Sequence, residues 1–227
     1  VILTGLSGSG KTQIALQFGR WLGDDHYMVV PVRPDWTGAE ALFGYEDALS
    51  DPKDGRKAWH VPEPLKFMLK AARDPENPYL MVLDEMNLAH VERYFADVIS
   101  GMESDEPCLP NLQEEDGDWR QVPGEEEPRK IRFPDNLFIA GTVNVDETTY
   151  MFSPKVLDRA NTMEFRVRTE DLDADLRKPG DCETGEPPLA KGFLEIARDG
   201  TYEQKNPLER KDEFFGALKN LHSALDQ

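Results

Sequence analysis

The feature that most constrains this chain is the loop at residues 5–12, which fits the pattern G-x-x-x-x-G-K-[ST] at every position. An apolar run at residues 1–4 precedes the loop, and helical spacing of apolar residues follows it through residues 11–22. In a strand–loop–helix unit of this kind, backbone N–H groups and the helix N-terminus face a bound phosphate. The predicted phosphate-binding residues are Gly5, Leu6, Ser7, Gly8, Ser9, Gly10, Lys11 and Thr12.

Two carboxylates, Asp84 and Glu85, end the apolar run at residues 80–83. The carboxyl ends of parallel strands are where open α/β sheets bind ligands. We expect Thr12 and Asp84 to hold Mg²⁺, and Lys11 to contact the β- and γ-phosphates of a nucleotide. Glu85 is then the general base that polarises the attacking water. The alternative for the two carboxylates is a solvated strand end.

Two further polar residues follow later apolar stretches. Asn144 ends the run at residues 138–143 and can hydrogen-bond a γ-phosphate or the attacking water; the alternative is a turn-forming strand cap. Arg159 follows the segment S-P-K-V-L-D and is a candidate arginine finger, a cation supplied to a neighbour's nucleotide. Its alternative is an ion pair with Asp158 or Glu164.

Apolar runs and helical spacings alternate along the chain. The predicted core strands cover residues 1–4, 27–32, 79–83, 137–143 and 163–167. The predicted helices cover residues 11–22, 64–72 and 87–102, whereas residues 35–61 show no regular spacing. Such alternation, with strands apolar on both faces, is typical of a parallel sheet wound by helices. In the fifth strand we expect the Met, Phe and Val side chains to face inward.

The composition changes at residues 103–130, which hold four prolines and the acidic clusters 114–116 and 125–127. This segment, returning through residue 133, predicts a solvated insertion in the form of a hairpin. A contact surface for a basic partner is the alternative. Residues 169–207 are again charged and proline-rich, and residues 214–225 carry helical spacing.

The 227 residues carry a formal charge of −18, which disfavours sequence-independent DNA binding by the chain as a whole. The sequence contains no run of 18 apolar residues, so no membrane-spanning helix is predicted. The two cysteines, Cys108 and Cys182, show neither metal-site spacing nor a disulfide framework. We therefore expect the protein to be located in the reducing cytoplasm. Because the chain begins at Val1 within a strand and stops after a helical stretch, we expect further segments on both sides.

Three segments together carry a family resemblance: GLSGSGKT, LMVLDEMNLAHVERYFADVISGME and FIAGTVNVDETTYMFSPKVLDRANTMEF. They resemble AAA+ NTPases, most of all the McrB-type motor subunits of modification-dependent restriction systems, with MoxR-like ATPases as close relatives. The resemblance covers residues 1–168 and implies a three-layer α/β/α sandwich with a five-stranded, mostly parallel sheet. Residues 169–227 then correspond to a linker and the start of a small helical lid.

The resemblance also implies roles for single residues. Lys11 and Thr12 would be the Walker A residues, Asp84 and Glu85 the Walker B pair, Asn144 the first sensor and Arg159 the finger. Proteins of this kind hydrolyse GTP or ATP with Mg²⁺ in rings, commonly hexamers, whose active sites lie between subunits. McrB-type rings act with an McrC-type nuclease subunit and recognise DNA through a separate N-terminal domain, which we expect to lie outside these residues.

This sequence departs from the McrB pattern after the fourth strand. McrB members carry M-N-T-A-D-R, whereas residues 143–148 read V-N-V-D-E-T, and only one arginine precedes the fifth strand. The preference between GTP and ATP is therefore open. Two alternatives to a restriction motor remain: a MoxR-like ATPase that remodels proteins, and a nucleotide-gated assembly scaffold with little turnover.

Overall fold

A computed structural model of the chain describes residues 1–123, 129–145, 152–158, 160–166, 184–185 and 187–199. Its strands, in chain order, are β1 (Ile2–Gly5), β2 (Tyr27–Pro31), β3 (Tyr45–Glu46), β4 (Ala58–His60), β5 (Tyr79–Asp84), β6 (Leu109–Pro110), β7 (Leu112–Glu115), β8 (Asp118–Gln121), β9 (Lys130–Ile131), β10 (Leu137–Asn144) and β11 (Thr162–Phe165). Its helices are α1 (Lys11–Leu22), α2 (Glu40–Phe43), α3 (Glu63–Arg73), α4 (Val91–Tyr94), α5 (Ala96–Ser104), α6 (Pro154–Leu157) and α7 (Pro187–Arg198), and 3₁₀ turns cover Asp24–His26 and Met86–Leu88.

The central sheet has the strand order β11-β1-β10-β5-β2, and each neighbouring pair is parallel. This confirms the prediction of a parallel α/β sheet. The order places β1, β10 and β5 side by side, although β10 lies far from the other two in sequence. The carboxyl ends of these three strands therefore meet at one edge, which is where the phosphate loop, the asparagine and the two carboxylates emerge.

Alternate residues of β5 pack into opposite layers, as the period of two in a strand requires. Leu80 and Val82 share a buried cluster with side chains of α1. Met81 and Leu83 lie in the second and larger cluster, which contains side chains of α3 and α4. Both faces of the sheet are thus covered by helices, in agreement with the predicted three-layer sandwich.

A second sheet has the antiparallel order β3-β4-β8-β7 and joins two distant parts of the chain. Trp59 of β4 lies opposite Trp119 of β8, and its Nε1 donates to the Phe43 carbonyl at 2.8 Å. Leu109 and Leu112 are fully buried. The prediction that residues 35–61 are irregular and 103–130 solvated is therefore wrong in part, because strands of two to four residues are too short to show a period.

The predicted helix at residues 87–102 is also corrected. The structure divides this stretch into the 3₁₀ turn Met86–Leu88, the short helix α4 and the helix α5. The turn packs tightly on the sheet at Gly141 of β10, which has no side chain. A Cβ added at this glycine would lie 1.9 Å from Met86 Sδ. The Tyr94 hydroxyl donates to the Met86 carbonyl at 2.9 Å and holds the turn against α4. Apolar spacing alone does not reveal such a break.

The fifth strand differs from its prediction as well. β11 pairs with β1 at the edge of the described sheet, and the Met163 side chain is 54% exposed. The inward orientation predicted for that methionine is wrong, because an edge strand has less cover on its faces than a central one.

Beyond the sheet, α7 packs on α1, with the Phe193 ring centroid 5.5 Å from that of Phe18 and 4.9 Å from that of Phe138. The helix lies in a stretch for which the composition predicted only a charged, proline-rich linker. The helical spacing at residues 214–225 lies outside the described residues, so the assignment of a lid stays a prediction. No helix in the described part of the chain is both long and apolar enough to cross a membrane.

Candidate active site

The loop between β1 and α1 has a backbone that its glycines make possible. Gly10 adopts φ 88° and ψ 5° directly before α1, a left-handed conformation that costs glycine little. Gly5 lies so close to β11 that an added Cβ would be 2.4 Å from the Phe165 carbonyl oxygen. The loop thus bends at the start of α1, with the amide groups of that helix terminus at the carboxyl edge of the sheet.

Lys11, the cation of the loop, is only 4% exposed. Its ammonium donates to the carbonyls of Gly5 at 2.9 Å and Leu6 at 2.6 Å, and to the Ser9 hydroxyl at 3.2 Å. Its three protons therefore meet neutral oxygens of the loop itself. A phosphate is a stronger acceptor than these neutral groups, because charge-assisted hydrogen bonds are shorter and stronger.

Thr12 and Asp84, the predicted magnesium ligands, are in direct contact. The Thr12 hydroxyl donates to Asp84 Oδ1 at 2.8 Å, across 72 positions of sequence. A second hydroxyl, that of Thr142 on β10, donates to the same carboxylate oxygen at 2.7 Å. Asp84 is thereby held in one orientation by helix α1 on one side and strand β10 on the other.

Glu85 follows β5 in a left-handed backbone conformation, with φ 53° and ψ 48°. Its N–H donates to the Thr142 hydroxyl at 2.9 Å, and its Oε1 accepts a hydrogen bond from Asn144 Nδ2 at 3.2 Å. Asn144 is 9% exposed at the end of β10. The structure thus brings the predicted base and the predicted sensor residue into contact.

Thr142 is the site residue that the sequence analysis did not name. It is 2% exposed, and its single hydroxyl bridges the Asp84 carboxylate and the Glu85 amide. The sequence does contain a signal for Thr142. It lies two residues before Asn144 in a strand that is otherwise apolar, so the two polar side chains are on the same face of the strand. The spacing could have identified Thr142 as a candidate, but not its two partners.

The donors around Thr12 fit a magnesium ion bound together with phosphates. The described residues contain no group of three or more His, Cys, Asp or Glu side chains that could hold a metal by themselves. Mg²⁺ in nucleotide sites typically takes only one or two protein ligands, and phosphates and waters complete its octahedron. The Thr12 hydroxyl and the Asp84 carboxylate are hard oxygen ligands of this kind.

Arg159, the predicted finger, lies outside the described residues. The residues around it are described: α6 ends at Leu157, Asp158 is exposed, and β11 begins at Thr162. Glu164, one alternative partner for the arginine, forms an ion pair with Arg166 at 2.8 Å. The role of Arg159 stays a prediction.

Comparison with known proteins agrees with the fold. Residues 1–160 match the AAA domain of the dynein-related subfamily, over more than half of the chain. The chain belongs to the AAA domain family. Its described α/β unit is therefore that of a nucleoside triphosphatase, with Lys11 in the phosphate loop and Asp84 and Glu85 at the end of β5.

This AAA domain is also similar to a protein of Escherichia coli (strain K12), the type IV methyl-directed restriction enzyme EcoKMcrB subunit. The two are 25% identical over 149 residues, which cover 63% of this chain and 30% of the relative. The matched region is thus under a third of that relative's length. The similarity supports the predicted resemblance to McrB-type proteins.

Proposed function

We propose that this AAA domain binds a nucleoside triphosphate with Mg²⁺ and hydrolyses the bond to its terminal phosphate. The supporting observation is the hydrogen-bonded series Thr12, Asp84, Thr142, Glu85 and Asn144, which lies beside the phosphate loop. This series joins a magnesium ligand to a general base within one rigid sheet edge. Such pre-positioning is what phosphoryl transfer requires of a protein.

Each residue has a defined part in the reaction. Lys11 and the loop amides bind the β- and γ-phosphates, and Thr12 and Asp84 hold the Mg²⁺, which neutralises phosphate charge when bound. Glu85 accepts a proton from the attacking water as the water oxygen bonds to the γ-phosphorus. The bond from that phosphorus to the β–γ bridging oxygen breaks, and the nucleoside diphosphate leaves with the bridging oxygen.

Asn144 controls where the base points. Its amide donates to Glu85 Oε1, so the carboxylate is held at a fixed position before the reaction. We expect the amide to exchange this bond for one to the γ-phosphate or the attacking water once a triphosphate is bound. The carboxylate is then released toward the water only when the substrate is complete.

The working unit in this proposal is a homo-oligomeric ring, commonly a hexamer, in which Arg159 of one subunit reaches the nucleotide of the next. A cation at that place stabilises charge on the transferring phosphoryl group. The family membership supports this arrangement, and the exposed Asp158 shows that the segment leading into the arginine reaches the protein surface.

The proposed role of the ring is to drive an McrC-like nuclease subunit on DNA, with DNA recognised by a domain outside this chain. The similarity to the EcoKMcrB subunit supports it, and the charge of −18 makes this chain itself a poor phosphate-backbone binder. The second candidate is a MoxR-like ATPase that remodels proteins, which the departure V-D-E-T at residues 145–148 from the McrB pattern favours.

A hydrolysis assay with GTP and with ATP, with and without the McrC-like subunit, separates the two candidates. Stimulation by that subunit supports the restriction motor, whereas ATP turnover that ignores the subunit supports the protein-remodelling ATPase. Glu85→Gln is the matched control, because the amide keeps the size of the side chain but is not a base. We expect this variant to bind nucleotide and to lose hydrolysis by on the order of 10²-fold or more. Turnover equal to the wild type would remove the general-base role.

A further inference from the structure

Glu92 of α4 makes a contact that the proposed mechanism does not use. Its Oε1 accepts a hydrogen bond from the backbone N–H of Ser153 at 2.7 Å, across 61 positions of sequence. Ser153 directly precedes α6, and α6 leads through Asp158 into Arg159. The carboxylate thus holds the start of the segment that presents the predicted finger.

The helix that carries Glu92 is itself fixed to the catalytic turn. α4 follows the 3₁₀ turn Met86–Leu88, which begins directly after Glu85. The buried Tyr94 hydroxyl donates to the Met86 carbonyl at 2.9 Å. The Trp36 ring packs edge-on against the Tyr94 ring, with the two ring centroids 5.2 Å apart. The turn beside Glu85 and the helix that carries Glu92 are therefore hydrogen-bonded to each other.

The segment around α6 packs on the larger buried cluster through Val156, Phe152 and Ala160, but part of it faces open space. Val156 is buried, whereas Leu157 is 45% exposed. Val156 and Ala160 also line a cavity of about 730 Å³, so part of the space beside the segment is empty. Because one side of the segment is open, its position depends more strongly on the hydrogen bond between Glu92 and Ser153.

The chemistry of this anchor is well defined. Burial acts to raise the pKa of the half-buried Glu92 carboxyl, but its hydrogen bonds, chiefly from Ser153, outweigh this effect and leave the pKa below its usual value. The carboxylate is therefore charged at neutral pH. A charged acceptor on a backbone N–H forms one of the stronger hydrogen bonds in proteins.

We infer that Glu92 is a positioning residue that couples the turn carrying Glu85 to the segment carrying Arg159. Each subunit's own nucleotide site then sets the position of the arginine that it offers to its neighbour. The inference rests on the proposed function, because it requires Arg159 to act on the nucleotide of an adjacent subunit.

The first test compares Glu92→Ala with Glu92→Gln in the assembled ring. The glutamine keeps a neutral oxygen that can still accept the Ser153 N–H, so we expect it to lose less hydrolysis than the alanine. The alanine should lower hydrolysis by roughly 10- to 100-fold, because a small misplacement of a reacting group has effects of this size. Nucleotide binding should be unchanged in both. Asp97→Ala, which removes an exposed carboxylate from the neighbouring α5, is the control and should keep full hydrolysis.

Mixed rings then show in which subunit the defect acts. A Glu92→Ala subunit keeps its own catalytic carboxylate, so mixing it with Glu85→Gln subunits, which keep their arginine, should restore activity at alternating interfaces. Mixing it with Arg159→Ala subunits should restore none, because both lack a positioned finger. The opposite pattern would place Glu92 in its own nucleotide site and overturn the inference.

Ser153→Pro tests the same bond from the donor side and covers the case in which Glu92→Ala does not fold. Ser153 has φ −69°, which a proline ring matches, so the change removes the N–H and the buried hydroxyl with little backbone strain at this residue. It should reproduce the mixed-ring pattern of Glu92→Ala, and the double variant should be no worse than either single one. Additive losses would contradict a shared bond.

The same experiments separate this inference from the proposed function. If Arg159→Ala leaves ring hydrolysis unchanged, the finger itself is wrong and the inference falls with it. If Arg159→Ala abolishes hydrolysis while Glu92→Ala and Ser153→Pro keep it, the coupling alone is wrong and the finger stands.

Discussion

At the scale of single residues, the site consists of polar groups that hold one another in place. Lys11 is held by loop oxygens, Asp84 by two hydroxyls and Glu85 by Asn144. A buried polar group needs such partners, because leaving it unsatisfied costs about 1–3 kcal/mol. The site is therefore ordered by its own hydrogen bonds.

Lys11→Ala should abolish nucleotide binding, because the β- and γ-phosphates lose their cation. Titration with a fluorescent nucleotide measures this directly. Lys66→Ala is the matched control, since Lys66 is exposed and pairs only with Glu63 among the contacts that the structure shows. An unchanged titration curve for Lys11→Ala would refute the assignment of the loop.

Thr142→Val should weaken both the site and the fold. The valine keeps the shape and suits a strand, but it removes the donor to Asp84 and leaves the Glu85 N–H without its acceptor. We expect a loss of about 1–3 kcal/mol in the free energy of unfolding. We also expect a fall in hydrolysis of roughly 10-fold or more, because the carboxylates lose their fixed orientation.

Chemical denaturation and steady-state hydrolysis measure these two effects. Thr142→Ser restores the hydroxyl and is the control for both. If Thr142→Val were as active as the serine variant, the bridging hydroxyl would have no part in positioning the carboxylates.

At the scale of elements, the second sheet depends on ion pairs that join the β3–β4 region to the β7–β8 hairpin. Arg56 Nη1 lies 2.8 Å from Glu115 Oε1, and both side chains are 16% exposed. The Arg56 guanidinium, with help from Gln113, lowers the pKa of Glu115 from its ordinary value of 4.5 to about 2. Arg56 also donates to the Gln121 carbonyl of β8 at 2.6 Å.

The pKa of Glu115 gives this contact a defined pH dependence. A carboxyl whose folded pKa is lowered stabilises the fold at pH values above its ordinary pKa, and this contribution is lost as the pH falls from about 4.5 toward 2. The protection factors of the β7 and β8 amides, which correct for the slower intrinsic exchange in acid, should therefore fall over that range.

Arg56→Ala should remove this pH dependence and raise the pKa of Glu115 toward its ordinary value. Amide exchange in β7 and β8 at neutral pH should then be faster than in the wild type, because the hairpin has lost the contacts of Arg56 with Glu115 and Gln121. Lys66→Ala, which breaks an exposed ion pair on α3, is the control. A Glu115 pKa that stayed near 2 in Arg56→Ala would assign the shift to another neighbour.

At the scale of the whole molecule, the strand order decides that there is a site at all. β5 and β10 are separated by more than fifty residues of sequence, yet they are hydrogen-bonded neighbours in the sheet. Because β1 lies on the other side of β10, the loop, Asp84 and Asn144 converge at one edge. In the proposed ring, a neighbouring subunit supplies Arg159 to complete this edge.

Arg159→Ala should leave nucleotide binding intact and suppress hydrolysis only in the assembled ring. Mixing it with Glu85→Gln subunits should restore part of the activity, because some interfaces then combine an intact base with an intact arginine. Hydrolysis measured across mixing ratios gives the test. No recovery at any ratio would contradict a finger that acts between subunits.

Local sequence patterns were enough to predict the features whose residues are contiguous. The phosphate loop, the acidic end of β5 and the asparagine at the end of β10 each lie within a few residues, and a local pattern is enough to predict them. The alternation of apolar strands and helices likewise predicted the parallel α/β sheet.

The contacts between distant residues could not be predicted from local patterns. Two of these contacts join positions at least 50 residues apart: that of Thr142 with Asp84 and Glu85, and that of Glu92 with Ser153. The second sheet also joins distant positions, through strands too short to show a period. The single helix predicted for residues 87–102 was wrong for a similar reason. Apolar residues are buried in the turn at Met86–Leu88 and in the helices after it, so their spacing does not show where the helix is interrupted. Such contacts depend on how the whole chain packs, and no local sequence pattern records them.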